Sequence, residues 1–136
     1  MPNELFFIHP LGQAVAFLVG VFNLISAWKR WCFSLTAHLN VGVMFYALIL
    51  IGSGVGLVLA RLGLRNNINL DSPLHSMAAA VLVAVIVCGA ITGFILLNKK
   101  KSNNSLLVVH RYCNFAVLCM VIVQFIIGIG PLAAVM

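Results

Sequence analysis

Residues 72–98 read SPLHSMAAAVLVAVIVCGAITGFILLN, from Ser72 to Asn98, without one Asp, Glu, Lys or Arg. A stretch this long and apolar decides the solvent. About 20 apolar residues cross the hydrocarbon of a bilayer as a helix, and a helix satisfies every backbone group internally. Three more segments lack charge in the same way: Pro10 to Trp28, Trp31 to Ala60 and Tyr112 to Met136. The second is longer than a span needs, so part of Trp31 to Thr36 is expected in the interface. Pro10 and Pro73 suit first helical turns, where a missing N–H costs little. The expected fold is an all-α membrane protein, a four-transmembrane-helix antiparallel bundle. It forms one domain over residues 1–136, with helices near 8–28, 33–60, 72–98 and 105–132.

The whole composition points the same way. Hydrophobic residues make up 63% of the chain and charged residues 7%, where a soluble domain carries about 25% charged residues. Membrane lipid is therefore the first partner. The 136 residues leave no room for a soluble catalytic domain, so any chemistry sits within the membrane or on a partner. Met1-Pro2-Asn3-Glu4 has an acid where a secretory signal carries positive charge, so the first span is expected to be retained. Cys32, Cys88, Cys113 and Cys119 form neither a CxxC pair nor a CxxCH haem attachment site. They read as small apolar packing residues.

The net charge of +6 follows a membrane rule and does not call for nucleic acid. Lys29-Arg30 and Lys99-Lys100-Lys101 lie in the first and third loops, while Arg61, Arg65 and Asp71 surround the second. Positive loops face the cytoplasm, which places both termini outside. Trp28 and Trp31 flank the first cytoplasmic loop as interfacial anchors do.

Each expected helix carries one histidine near its start: His9, His38, His75 and His110. Antiparallel helices alternate direction. His9 and His75 therefore belong near the outer surface, and His38 and His110 near the inner one. Two facing imidazoles at one depth are what a six-coordinate haem needs from a bundle, and neutral imidazole suits iron. For one histidine near a helix end the plain alternative is an interfacial polar residue. Four of them, one per helix and in matched pairs, weigh against it.

Small residues recur on the histidine faces. Eighteen residues make five turns, ~27 Å along a helix, and lead from His38 to Gly56, from His75 to Gly93 and from His110 to Gly128. Fourteen residues, ~21 Å, lead from His38 to Gly52 and from His75 to Gly89. These five, each making space at the other depth, and Gly42 are candidate haem-facing residues. Close helix–helix packing with small-xxx-small spacing is the alternative. Haem propionates need partners near the surface: Arg61 and Arg65 are candidates outside, with Arg111, Lys29 and Arg30 inside. Headgroup anchoring is the ordinary alternative for each. Gln13, Asn40, Tyr112 and Asn114 are polar neighbours, any of which is a candidate to hold a histidine N–H.

His9-Pro10-Leu11, then Phe17-Leu18-Val19-Gly20 and Lys29-Arg30, resembles the first core helix of the cytochrome b561 family. Leu74-His75-Ser76 resembles its third core helix and His110 its fourth, with His38 where the second carries its ligand. The resemblance covers almost the whole chain. It implies two haems, held by His9 with His75 and by His38 with His110. The compact four-helix form looks like a microbial haem subunit that works with quinone or quinol, or with redox protein partners, in a prokaryotic cytoplasmic membrane.

The expected function is transmembrane electron transfer through two b-type haems ~20 Å apart, as the cytochrome subunit of a larger oxidoreductase rather than a stand-alone enzyme. The alternative is a haem-free membrane anchor or assembly subunit. A transporter or metal-transfer protein is disfavoured, because no Asp or Glu lies in any span to pair with a cation. A zinc site is disfavoured by the split of the histidines into two layers.

Overall fold

The computed structural model describes residues 7–29, 34–65, 72–98 and 104–133. They form four helices: α1 (Ile8–Lys29), α2 (Leu35–Arg65), α3 (Pro73–Asn98) and α4 (Asn104–Ala133). All four are long and apolar enough to cross a membrane, and the fold is an all-α four-helix bundle.

Local chemistry sets two of the starts, and with them the depth of two histidines. The Ser34 hydroxyl accepts from the Ala37 N–H at 3.1 Å, and the Ser34 carbonyl accepts from the His38 N–H at 3.0 Å. Ser72 does the same for α3, its hydroxyl accepting from the His75 N–H at 3.4 Å and its carbonyl from Ser76 at 3.0 Å. Serine is a favoured N-cap because it satisfies a donor the helix leaves orphaned. Each cap holds its histidine in the first turn. At its other end α2 runs on to Arg65, past the expected stop near residue 60. Arg61 is no barrier, since a long basic side chain near a membrane surface reaches the headgroups while its stem stays in apolar surroundings.

α1 packs chiefly along α2, and α3 along α4. α1 also meets α4 over a shorter length, while α2 barely touches α3. The bundle is thus two helical hairpins docked mainly through α1 and α4. The core between them is Ala16, Phe45, Ile49, Leu82, Ile86, Val117, Leu118 and Val121. Gly20 makes this seam possible, because a Cβ there would run into the Phe45 ring and Leu118. Outside, Leu11, Leu18, Met77, Phe94 and Ile126 are each more than three-fifths exposed, as a surface solvated by lipid requires. Inside, Asn23, Ser26 and Thr92 are buried polar residues, and such groups in a membrane interior need partners.

Candidate functional site

Two of the four histidines meet ring to ring, and a third is tied to the helix of the fourth. The rings of His9 on α1 and His75 on α3 have centres 6.2 Å apart, with planes at 83°. His110 on α4 is tied to α2, the helix that carries His38, through Asn114 and Tyr46. Both associations join one hairpin to the other.

Three of the four rings are held by one nitrogen. His9 Nδ1–H donates to the Gly52 carbonyl at 2.7 Å. His110 Nδ1–H donates to the Gly89 carbonyl at 3.0 Å, with the Thr92 hydroxyl 3.3 Å away. His38 Nδ1–H donates to Asn23 Oδ1 at 2.9 Å. A carbonyl oxygen only accepts, so in each case the proton sits on Nδ1 and the lone pair on Nε2. The Asn114 amide N–H agrees, approaching His110 Nε2 at 3.3 Å while donating to the His110 carbonyl at 2.8 Å. An imidazole N–H on a backbone carbonyl or other acceptor, with the second nitrogen left bare, is the state of a metal-ligating histidine; at His110 the Asn114 amide stands against that second nitrogen.

The glycines meet the histidines directly. A Cβ at Gly56 would stand 2.8 Å from His9 Cε1, one at Gly93 2.9 Å from His110 Cε1, and one at Gly128 3.3 Å from His75 Cε1. Each occupant belongs to the opposite histidine layer, and it is an imidazole edge. Gly52 is covered by the Gln13 side chain, whose amide donates to the Ile49 carbonyl at 3.2 Å. Gly89 faces the Tyr46 hydroxyl, and Gly42 lies 3.3 Å, at its Cβ position, from Asn23 Nδ2. Tyr46 in turn donates to Asn114 Oδ1 at 3.0 Å, so α2 reaches His110 through two polar side chains.

Ligand count narrows what such a site can hold. Among the described residues no three His, Cys, Asp or Glu side chains gather, so the protein offers two imidazoles to a centre and not a full shell. A nitrogen binds a first-row metal at about 2.0–2.1 Å, and the ring centre lies roughly 1.1 Å behind it, so two imidazoles on opposite sides of one metal have centres roughly 6.3 Å apart. His9 and His75, at 6.2 Å, fit that spacing. The residues present fit a tetrapyrrole iron, which brings four equatorial ligands of its own and asks the protein for two.

Among the candidate propionate partners, Arg61 and Arg111 are exposed, while Arg30 and the side chains of Lys29 and Arg65 lie outside the described residues. Asn40 and Tyr112 are exposed as well. Sequence reasoning missed Asn23, Thr92, Tyr46 and Gln124, whose amide donates to the His75 carbonyl at 3.1 Å. A signal for two of them existed: Asn23 follows His9 by fourteen residues, and Gln124 follows His110 by fourteen. No family model, no curated protein and no solved structure matches the chain.

Proposed function

We propose that the chain carries electrons across a membrane through two b-type haems, one held by His9 and His75 and the other by His38 and His110. The observation that supports this most is the His9–His75 pair. Its ring centres stand 6.2 Å apart, and His9 Nδ1–H is tied to Gly52, which leaves Nε2 for a metal. Bound haem would supply a one-electron carrier whose potential the axial ligands help to set.

The residues of this chain do the rest. Gly52, Gly89 and Asn23 fix three imidazole tautomers, and Gly56, Gly93 and Gly128 give three rings room beside a helix. Phe45 lies seven residues from His38 and seven from Gly52, so with Ile49 and Leu118 it fills the space between the two layers and keeps water out. The layers are ~20 Å apart by helix rise, enough to bridge most of a ~30 Å hydrocarbon core.

In this role the chain is the cytochrome subunit of a larger oxidoreductase in a prokaryotic cytoplasmic membrane. It exchanges electrons with quinone or quinol or with redox subunits, and both termini are outside. The test is direct. Protein purified from haem-replete cells is extracted with acidified acetone and assayed as the pyridine haemochrome, and two non-covalent haems per chain are expected. Colourless protein would instead favour a haem-free anchor.

A further inference from the structure

Three imidazoles share one rule that the fourth breaks. The acceptor for each Nδ1–H lies on the packed neighbouring helix, fourteen residues after that helix's own histidine. Gly52 follows His38 and serves His9; Gly89 follows His75 and serves His110; Asn23 follows His9 and serves His38. Fourteen residues after His110 stands Gln124, on the helix that packs along α3. The ring it should serve is His75.

Gln124 is already at His75, since its Nε2 donates to the His75 backbone carbonyl at 3.1 Å. Two orphaned atoms remain beside that bond. Among the described residues His75 Nδ1 and Gln124 Oε1 are both buried without a hydrogen-bond partner. One is a potential donor and the other an acceptor, each the complement the other lacks. A buried polar group without a partner loses its hydration for nothing in return, so a turn of the flexible glutamine side chain that joins the two is favoured. Gly128, whose Cβ position is 3.6 Å from His75 Nδ1, leaves room for it.

We propose that Gln124 is the positioning residue of His75: its amide oxygen takes the Nδ1 proton and leaves Nε2 as the metal-binding nitrogen. This rests on reading His75 as a haem ligand. Each centre then has the same make-up, one imidazole held by a glycine carbonyl and one by a carboxamide. The outer centre uses Gly52 and Gln124, the inner one Gly89 and Asn23. A backbone carbonyl is fixed, whereas a carboxamide can be exchanged. Gln124 is therefore the position at which the outer centre's potential is set by a side chain, because an acceptor on Nδ1–H makes Nε2 a stronger donor to iron.

The experiment compares wild type, Gln124→Leu and Gln124→Glu in lipid nanodiscs. Redox titration resolves the two centres, and ¹⁵N NMR of histidine-labelled apoprotein reports the His75 tautomer, assigned against His75→Ala. Gln124→Leu should raise the outer centre's potential and weaken its haem binding about tenfold. Gln124→Glu should lower that potential, and the inner centre should hold steady in both variants. In wild-type apoprotein His75 should be the Nδ1–H tautomer, and Gln124→Leu should lose that preference. Equal potentials in all three proteins, shifts of the same sign in both variants, or a wild-type Nε2–H tautomer would each overturn the assignment. The NMR arm needs no haem, and its wild-type reading does not depend on the fold of Gln124→Leu. If the protein carries no haem, the electron-transfer proposal fails, and the tautomer alone judges the Gln124–His75 bond.

Discussion

Helix rise separates the two histidine layers in this chain. On the proposed function His9 and His75 share one site, and His38 and His110 another, with ~20 Å of helix between them, so no ligand can stand in for one in the other layer. Replacing His9 or His75 by Ala should therefore alter one component of the reduced-minus-oxidised spectrum, and replacing His38 or His110 the other. Variants within a pair should resemble each other, because they disturb the same centre. A His9→Ala spectrum that matched His38→Ala and not His75→Ala would dissolve the pairing. Gly93 offers a second probe without touching a ligand. Its Cβ position is 2.9 Å from His110 Cε1, so Gly93→Val must push the ring aside, and overpacking of this kind costs about 1–3 kcal/mol. The expected result is loss or conversion of the inner haem alone, read as a selective change in the same difference spectrum.

At the scale of the helices, packing replaces the hydrophobic effect. Lipid tails are as apolar as leucine, so association depends on close van der Waals contact and on hydrogen bonds between helices. Gly20 and Phe45 make one close contact of this kind, with Leu118 closing it from α4. Phe45 is 2% exposed. Phe45→Ala would cost about 3–5 kcal/mol in a water-soluble core. Within a bilayer the transfer from water drops out and the cavity remains, a loss on the order of 2 kcal/mol. Thermal unfolding in detergent should fall accordingly, and Phe45→Leu should recover most of the difference. An unchanged melting temperature in Phe45→Ala would remove this contact from the list of those that hold the hairpins together.

The whole molecule is two hairpins whose histidine pairs cross between them. α1 packs on α2 and α3 on α4, yet His9 meets His75 and His110 is tied to α2 through Asn114 and Tyr46. Any group held by these pairs therefore ties one hairpin to the other, in addition to the seam between α1 and α4. A ligand that binds only the folded state stabilises it by mass action. At a hundredfold excess over its dissociation constant each haem should add about 2.7 kcal/mol, so the apoprotein should melt well below the holoprotein. Equal melting temperatures would mean that the hairpins dock without help from the histidines. Orientation belongs to this scale too. With basic residues concentrated at Lys29–Arg30 and Lys99–Lys101, a cysteine introduced at position 66 should be labelled from outside intact cells and one at position 103 should not. The native cysteines are replaced first. The reverse labelling would exchange the outer and inner names of the two sites and leave the pairs as they are.

The sequence by itself determined the solvent, the number of helices and the grouping of His9 with His75. Hydropathy is summed along a local stretch, so Ser72 to Asn98 declares a span without reference to any other segment. Helix direction then fixes depth, which is why His9 and His75 could be grouped before any contact was known. Ser34 and Ser72 took on their role as caps only when the helix starts were seen. Only the tertiary structure decided how each helix is rotated about its axis. That rotation is set by side chains from all four helices at once, through contacts such as Gly20 with Phe45. It settles that Gly56, Gly93 and Gly128 receive imidazole edges, that Asn23 and not Asn40 holds His38, and that Nδ1 is the nitrogen held in His9, His38 and His110. A fourteen-residue spacing is written in the chain. Which neighbour's ring it meets depends on which helices pack, and packing is not a property of any one segment.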